Sequence, residues 1–328
     1  CMERYADYIY RVFVTEKSAA FVTPGHEEIE LALVEMYRYT KEKKYLELAL
    51  FFLDNRGIHD SEKTEYNQSH LPVREQTEAV GHAVRALYLY SAMADCAFET
   101  GDKDLERACL SIYEDIVGKK MYVTGGLGST PIGEAFTHAY DLPNSDAYAE
   151  TCAGIGLMFF AKRLLRLENR AEFADITERV FYNGVLSGLS LDGKSFFYEN
   201  PLEITLLDRF EGTYGKRRLP ITQRVECFVC SCCPPNLNRL LPALSGYIYG
   251  IENETLFVNQ FADSILSDGG IECSMHTDYP RSGTVKISAR GVKNVAVRIP
   301  SWCAAFTADR AYKMKNGYAV MESRGEIV

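Results

Sequence analysis

The strongest constraint on this chain is a change of hydrophobic period partway along it. From position 27 to about 186, apolar residues recur three and four apart, as in Ile29, Leu33, Met36 and Tyr37, in Leu105, Cys109, Ile112 and Ile116, and in Phe173, Ile176, Val180 and Phe181. That spacing puts an apolar stripe on each of a series of helices. The breaks are short and carry helix-stop chemistry: Thr-Lys-Glu-Lys at 40–43, Thr-Gly-Asp at 100–102 and Glu-Asn-Arg at 168–170. Short connections predict antiparallel helical hairpins stacked side by side. Two segments, 79–98 and 147–167, are apolar on more than one face, which predicts an inner layer of helices wrapped by an outer one, an α/α barrel or toroid. A last helix is expected over 236–249, after Pro234 and Pro235.

After Gly250 the period falls to two, in short runs at 255–261, 270–275, 284–289 and 295–299, punctuated by Asp-Gly-Gly at 268–270, Ser-Gly at 282–283 and Arg-Gly at 290–291. This pattern predicts an antiparallel β-sandwich. The fold class is therefore mainly α with a β domain: an α/α-barrel catalytic domain over 1–250 and a β-sandwich domain over 251–328. No internal sequence repeat is evident, so the helical hairpins are not copies of one another.

Composition limits the partners. At 328 residues, 47% hydrophobic and 25% charged, the chain is long enough for two cores. A net charge of −9 without long single-sign blocks disfavours phosphate backbones and anionic headgroups, so neither nucleic acid nor membrane is an expected partner. No run approaches the roughly 20 apolar residues of a membrane span, and the first residues lack a charged segment followed by an apolar one. A cytoplasmic location is expected. The chain opens inside an amphipathic helix (Tyr5, Ile9, Val12, Phe13) and stops in strand-like sequence, which reads as a piece of a longer protein. Nothing sets the oligomeric state, a homo-oligomer included.

Ten cysteines are present, four of them at 227, 230, 232 and 233. This is no disulfide framework of a small secreted fold, and vicinal cysteines suit a single structural disulfide poorly. Free thiols in a reducing compartment fit better. Zinc takes four ligands in a tetrahedron and favours thiolates, with a carboxylate as a harder fourth. Cys227 and Cys230 have knuckle spacing, but the adjacent Cys232 and Cys233 point in different directions, so the run alone does not decide which thiols converge, and a remote ligand is expected. Glu150 and Cys152, at the start of a helical segment, can aim at one point from an extended turn and complete such a site.

The glycines of 125–128 lack a preceding strand and a following Lys-Ser or Lys-Thr pair, so they are not a nucleotide cradle. They read as a long ordered loop that carries Glu134 to the mouth of the barrel. His26 and His82 each follow a glycine at the beginning of a helix, a shared context that favours polar groups lining one pocket. His59, His138 and His276 have no such context, and Tyr198 offers a hydroxyl to the same cavity.

Gly-His-Ala-Val-Arg-Ala at 81–86, Gly-Glu-Ala-Phe at 133–136, Glu-Thr-Cys-Ala at 150–153 and Cys-Cys-Pro-Pro-Asn at 232–236 together resemble glycoside hydrolase family 127, the β-L-arabinofuranosidase family. The resemblance extends over nearly the whole chain. It implies a retaining hydrolase releasing terminal β-L-arabinofuranose, built as an α/α barrel followed by β-sandwich domains. It implies a zinc ion held by Glu150, Cys152, Cys232 and Cys233, with Cys232 as nucleophile and Glu134 as general acid/base. His26 and His82 correspond to sugar-contacting histidines and Tyr198 to a tyrosine beside the nucleophile, while Cys227 and Cys230 become bystanders. The chain departs from the family at its ends: the first barrel helices, which carry another pocket histidine, are absent, and the β region is incomplete. Two other readings stand beside it: a noncatalytic sugar-binding or scaffold protein with structural zinc, and a barrel sugar epimerase or isomerase using His26 and His82, which leaves the cysteine cluster unexplained.

Overall fold

The computed structural model describes residues 1–205, 219–227, 229 and 232–328; Cys230 lies outside them. The chain divides into two compact units. One comprises Cys1–Leu167 and Arg179–Asn236, the other Glu168–Glu178 and Leu237–Val328.

The first unit contains α1 (Met2–Tyr10), α2 (Ile29–Thr40), α3 (Lys43–Asn55), α4 (Ala83–Thr100), α5 (Lys103–Asp115) and α6 (Thr151–Leu167). α4 and α6 pack against each other, α4 also meets α2 and α5, and α2 pairs with α3. The two segments apolar on several faces are thus deeply buried helices: fourteen residues of α4, from Ala83 to Ala97, are buried, and twelve of α6. The outer helices keep a single stripe, and on α5 it comprises Leu105, Cys109 and Ile112. At the turn between α4 and α5, Gly101 takes the left-handed conformation that closes α4. The Asp102 carboxylate then accepts from the amides of Asp104 and Leu105 at 2.9 and 3.0 Å, an N-cap that contributes about 1 kcal/mol.

The breaks between helices are longer than expected in two places, the second of which contains the loop expected around Glu134. Residues 56–82 and 121–150 are largely irregular, and their order comes from hydrogen bonds between distant segments, which no local spacing records. The last helix also differs from expectation. α8 (Cys233–Leu240) starts three residues before Asn236 and gives way at Leu241 to a tighter 3-10 stretch ending at Tyr247. Pro234 and Pro235 sit inside the first helical turn, where an amide has no partner to lose, so they start the helix instead of preceding it.

The second unit holds part of α7 (Ala171–Val180) and two sheets. The short strands β1 (Ser195–Phe196) and β2 (Val225–Glu226) pair antiparallel in the first unit. Of the rest, β3 (Tyr249–Glu252), β4 (Thr255–Val258), β8 (Asn294–Arg298), β10 (Tyr318–Glu322) and β9 (Lys313–Lys315) form one sheet in that order. β11 (Glu326–Ile327), β7 (Val285–Arg290), β6 (Ile271–Thr277) and β5 (Ser264–Asp268) form the other. Alternation aims Leu256, Val258, Val295, Ala319 and Met321 from one sheet, and Cys273, Met275, Ile287 and Ile327 from the other, into one core. The expected antiparallel sandwich needs one correction, since β4 and β8 run parallel, with Leu256 beside Val295 and Val258 beside Val297. Between them the chain crosses to the second sheet and returns, which reverses the sense of pairing. Beneath this sheet Arg298 is fully buried, ion-paired with Asp175 and Glu178 of α7 and bonded to the Asn259 carbonyl.

Candidate active site

The irregular segments of the first unit bring the reactive side chains together. Residues 148–151 run alongside 197–200: the Thr151 amide donates to the Tyr198 carbonyl at 3.0 Å, the Asn200 amide to the Tyr148 carbonyl at 3.2 Å, and the Asn200 side chain to the Ala149 carbonyl at 2.9 Å. These bonds hold Glu150 in extended backbone just ahead of α6 and place Cys152 in its first turn. On the other side α8 begins at Cys233. Its first turn is tied to α4, where the Tyr88 hydroxyl donates to the buried Asn236 side chain at 2.9 Å.

Glu150, Cys152, Cys232 and Cys233 thereby converge, one donor atom from each lying within 4.8 Å of the others; among the described residues no other such cluster occurs. The Sγ atoms of Cys152 and Cys233 are 3.3 Å apart and those of Cys232 and Cys233 3.9 Å. Glu150 Oε1 lies 3.6 Å from Cys232 Sγ and 3.9 Å from Cys233 Sγ. With zinc–sulfur bonds of about 2.3 Å, the edges of a tetrahedron are roughly 3.8 Å, and these separations bracket that value.

The electrostatics point the same way. Glu150 is buried, its Oε2 has no hydrogen-bond partner among the described residues, and burial, then the charges of Cys232 and Glu134, push its carboxyl far above the usual range. An isolated carboxylate there is costly, and a cation reverses that cost. Hydrogen bonds from Cys232 and Cys233 hold the Cys152 thiol below its ordinary value. Three thiols and one carboxylate are a donor set that zinc accepts.

Glu134 arrives from a separate loop. Ser129 and Thr130 pair with Ala135, and the Phe136 amide donates to the Gly81 carbonyl at 2.9 Å, so the tip at 131–135 is pinned beside the start of α4. Gly81 makes this approach possible: its φ is +69°, and a Cβ there would sit 1.8 Å from the Glu65 carbonyl oxygen. Glu134 Oε2 lies 2.9 Å from His82 Nε2. Its charge contributes to the upward shifts of both Glu150 and Tyr148.

Of the other residues singled out by sequence, Tyr198 is buried with its hydroxyl 3.5 Å from Cys232 Sγ. The His26 ring centroid is 6.4 Å from that of His82 and 5.9 Å from that of Tyr88. Desolvation, then the Arg85 charge, holds His26 below the usual imidazole value, which favours a neutral ring. Cys227 does not join the cluster, and its thiol faces the Gly193 carbonyl at 3.7 Å. His138 and His276 are exposed beside Asp141 and Asp263.

Sequence reading missed a buried ion cluster under His26. The Arg56 side chain is wholly buried and donates to Glu27 Oε1 at 2.8 Å, the Asn67 carbonyl at 2.9 Å and the Pro24 carbonyl at 3.0 Å, with Glu30 at 3.8 Å. The available signal was Glu30 on the buried stripe of α2, beside Leu31, Leu33 and Val34.

Residues 1–246 match the β-L-arabinofuranosidase GH127 catalytic domain. The chain is 36% identical to a non-reducing end β-L-arabinofuranosidase of Bifidobacterium longum, over 92% of this chain and 50% of that one. Its fold matches the crystal structure of a GH127 β-L-arabinofuranosidase from Geobacillus stearothermophilus T6 with a TM-score of 0.89 and 38% identity, over 99% of this chain and 57% of the other. A second GH127 β-arabinofuranosidase structure matches with a TM-score of 0.87 and 37% identity, over 99% and 54%. The chain thus spans about half the length of these relatives.

Proposed function

Because the chain belongs to glycoside hydrolase family 127, we propose that it is the catalytic part of a retaining hydrolase that releases terminal β-L-arabinofuranose, with Cys232 as nucleophile and Glu134 as acid/base. The observation that carries this reading is the convergence of three thiols and a buried carboxylate, together with a second carboxyl from another loop that lies 2.9 Å from a histidine ring nitrogen. A retaining hydrolase needs a nucleophile on one side of the anomeric carbon and a proton donor near the leaving oxygen. Metal content aside, a purely structural thiolate site has no use for Glu134 and His82.

Glu150, Cys152, Cys232 and Cys233 are the residues that would hold zinc, in the proposed α/α barrel. Bound there, zinc keeps the thiols ionised at neutral pH. Cys232 is the half-buried member of the set, whereas Cys152 and Cys233 are enclosed, so Cys232 is the thiol that substrate reaches. In its ionised form its sulfur accepts a hydrogen bond from the Tyr198 hydroxyl.

In the first step Cys232 Sγ bonds to the anomeric carbon, the bond to the leaving oxygen breaks, and Glu134 gives that oxygen its proton. His82 Nε2 fixes the Glu134 carboxyl in place. In the second step Glu134 takes a proton from water, the water oxygen attacks the anomeric carbon, and the carbon–sulfur bond breaks to return the Cys232 thiolate. His26 and His82 contact hydroxyls of the sugar.

The test is turnover of nitrophenyl glycosides by the full-length protein, with and without a chelator. Hydrolysis of the β-L-arabinofuranoside is expected, abolished by Cys232→Ser and by Glu134→Ala. Full activity in Cys232→Ser sinks the assignment.

A further inference from the structure

Tyr66 carries no role in the chemistry above, yet it stands against the loop that presents the acid. Its ring centroid is 5.6 Å from that of His82, edge to face at 82°. A Cβ built on Gly133, the residue before Glu134, would lie 3.8 Å from Tyr66 Cδ2. The ring therefore stands beside the residue that precedes the acid and against the histidine that holds the acid.

The ring is also fixed. The Tyr66 carbonyl accepts from the His82 amide and from Gln68 Nε2, each at 3.2 Å. The Arg85 guanidinium lies 4.9 Å from the ring centroid and anchors it to the first turn of α4. Nearly half of Tyr66, 47%, remains exposed. A rigid, exposed aromatic ring costs little entropy when it binds a ligand.

We infer that Tyr66 forms the leaving-group subsite and accepts a cyclic leaving group, a second sugar ring, by stacking. This rests on the hydrolase reading. A proton donor must lie within hydrogen-bond distance of the glycosidic oxygen, and the leaving group is bonded to that oxygen. A side chain beside the loop that presents Glu134 is therefore in position to meet the leaving group. The C–H face of a sugar ring against an aromatic ring is apolar contact of the sort that such a platform supplies. Arg85 acts through Tyr66 by holding the ring, and the Tyr66 hydroxyl is left to meet a sugar hydroxyl.

The test compares two β-L-arabinofuranosides that share the terminal sugar and differ in leaving group, one a pentose and one methanol, with the full-length protein. Tyr66→Ser is expected to lower kcat/KM for the disaccharide roughly tenfold more than for the methyl glycoside. Tyr66→Phe, which keeps the ring, is expected to retain most of the preference and controls for folding. Equal losses on the two substrates overturn the leaving-group subsite while leaving the hydrolase reading intact. A wild-type protein that cleaves neither substrate overturns the hydrolase reading and this inference with it.

Discussion

Replacing Arg56 by methionine isolates the largest electrostatic feature that the helices bury. The guanidinium is wholly enclosed, and it is the principal cation facing Glu27 and Glu30. Glu27 Oε2 and both Glu30 oxygens have no hydrogen-bond partner among the described residues. Removing one partner of a buried pair costs about 3–5 kcal/mol, and the Asn67 and Pro24 carbonyls lose their donor as well.

The loss depends on pH in a defined direction. Burial raises Glu27 from 4.5 to about 7, so its contribution to stability is full below about 4.5 and declines as pH rises to about 7. In the wild type the decline levels off there, because Glu27 ionises beside Arg56. In Arg56→Met the carboxyl stays protonated to higher pH, since among the described residues Arg85 is the one cation left within ion-pair distance, at 3.7 Å. The decline then continues at about 1.4 kcal/mol per pH unit, so the gap between variant and wild type widens by up to about 2 kcal/mol between pH 7 and 8.5. Urea denaturation followed by far-ultraviolet circular dichroism at several pH values measures both quantities. A loss below about 1 kcal/mol, or a gap that stays constant above pH 7, refutes the reasoning.

Cys152→Ser removes a donor 3.3 Å from Cys233 and should bring bound zinc well below one per chain by elemental analysis; full occupancy would take Cys152 out of the ligand set. Gly81→Ala forces a Cβ against the Glu65 carbonyl at positive φ, so a loss of about 2 kcal/mol or more is expected in the same urea titration, together with a fall in kcat as Glu134 is displaced. Unchanged stability would mean that the 65–66 and 81–82 segments separate freely.

Much of the helical region was legible because its signal is local. A residue on the buried stripe of α5 declares itself by spacing, and α4 and α6 by lacking a polar face. The parallel pairing of β4 with β8 was not legible, because strand order depends on a crossover and alternation reports only which face a residue serves. Residues 171–178 are helical by period, yet they pack in the compact unit that holds the sheets, and amphipathicity does not say which core a stripe meets.

The site divides in the same way. Glu150, Cys152, Cys232 and Cys233 stood out by residue type and by resemblance, and they converge in the structure. What the motifs do not contain is the backbone pairing of 128–136 and 81–82 that sets Glu134 against His82. Nor do they contain Tyr66 and Arg56, whose roles follow from contacts with segments remote in sequence.

The central claim is that Cys232 attacks the sugar. Mass spectrometry of peptides from the full-length protein, acid-quenched after the Glu134→Ala variant is mixed with an activated β-L-arabinofuranoside, tests it most directly, since an activated leaving group departs without the acid while the blocked second step lets a glycosyl thioether accumulate. An arabinosyl adduct on the peptide carrying Cys232, localised to that residue and absent from Cys233, is the expected result. An adduct on another side chain, or release of the leaving group with no adduct on any cysteine, contradicts the claim.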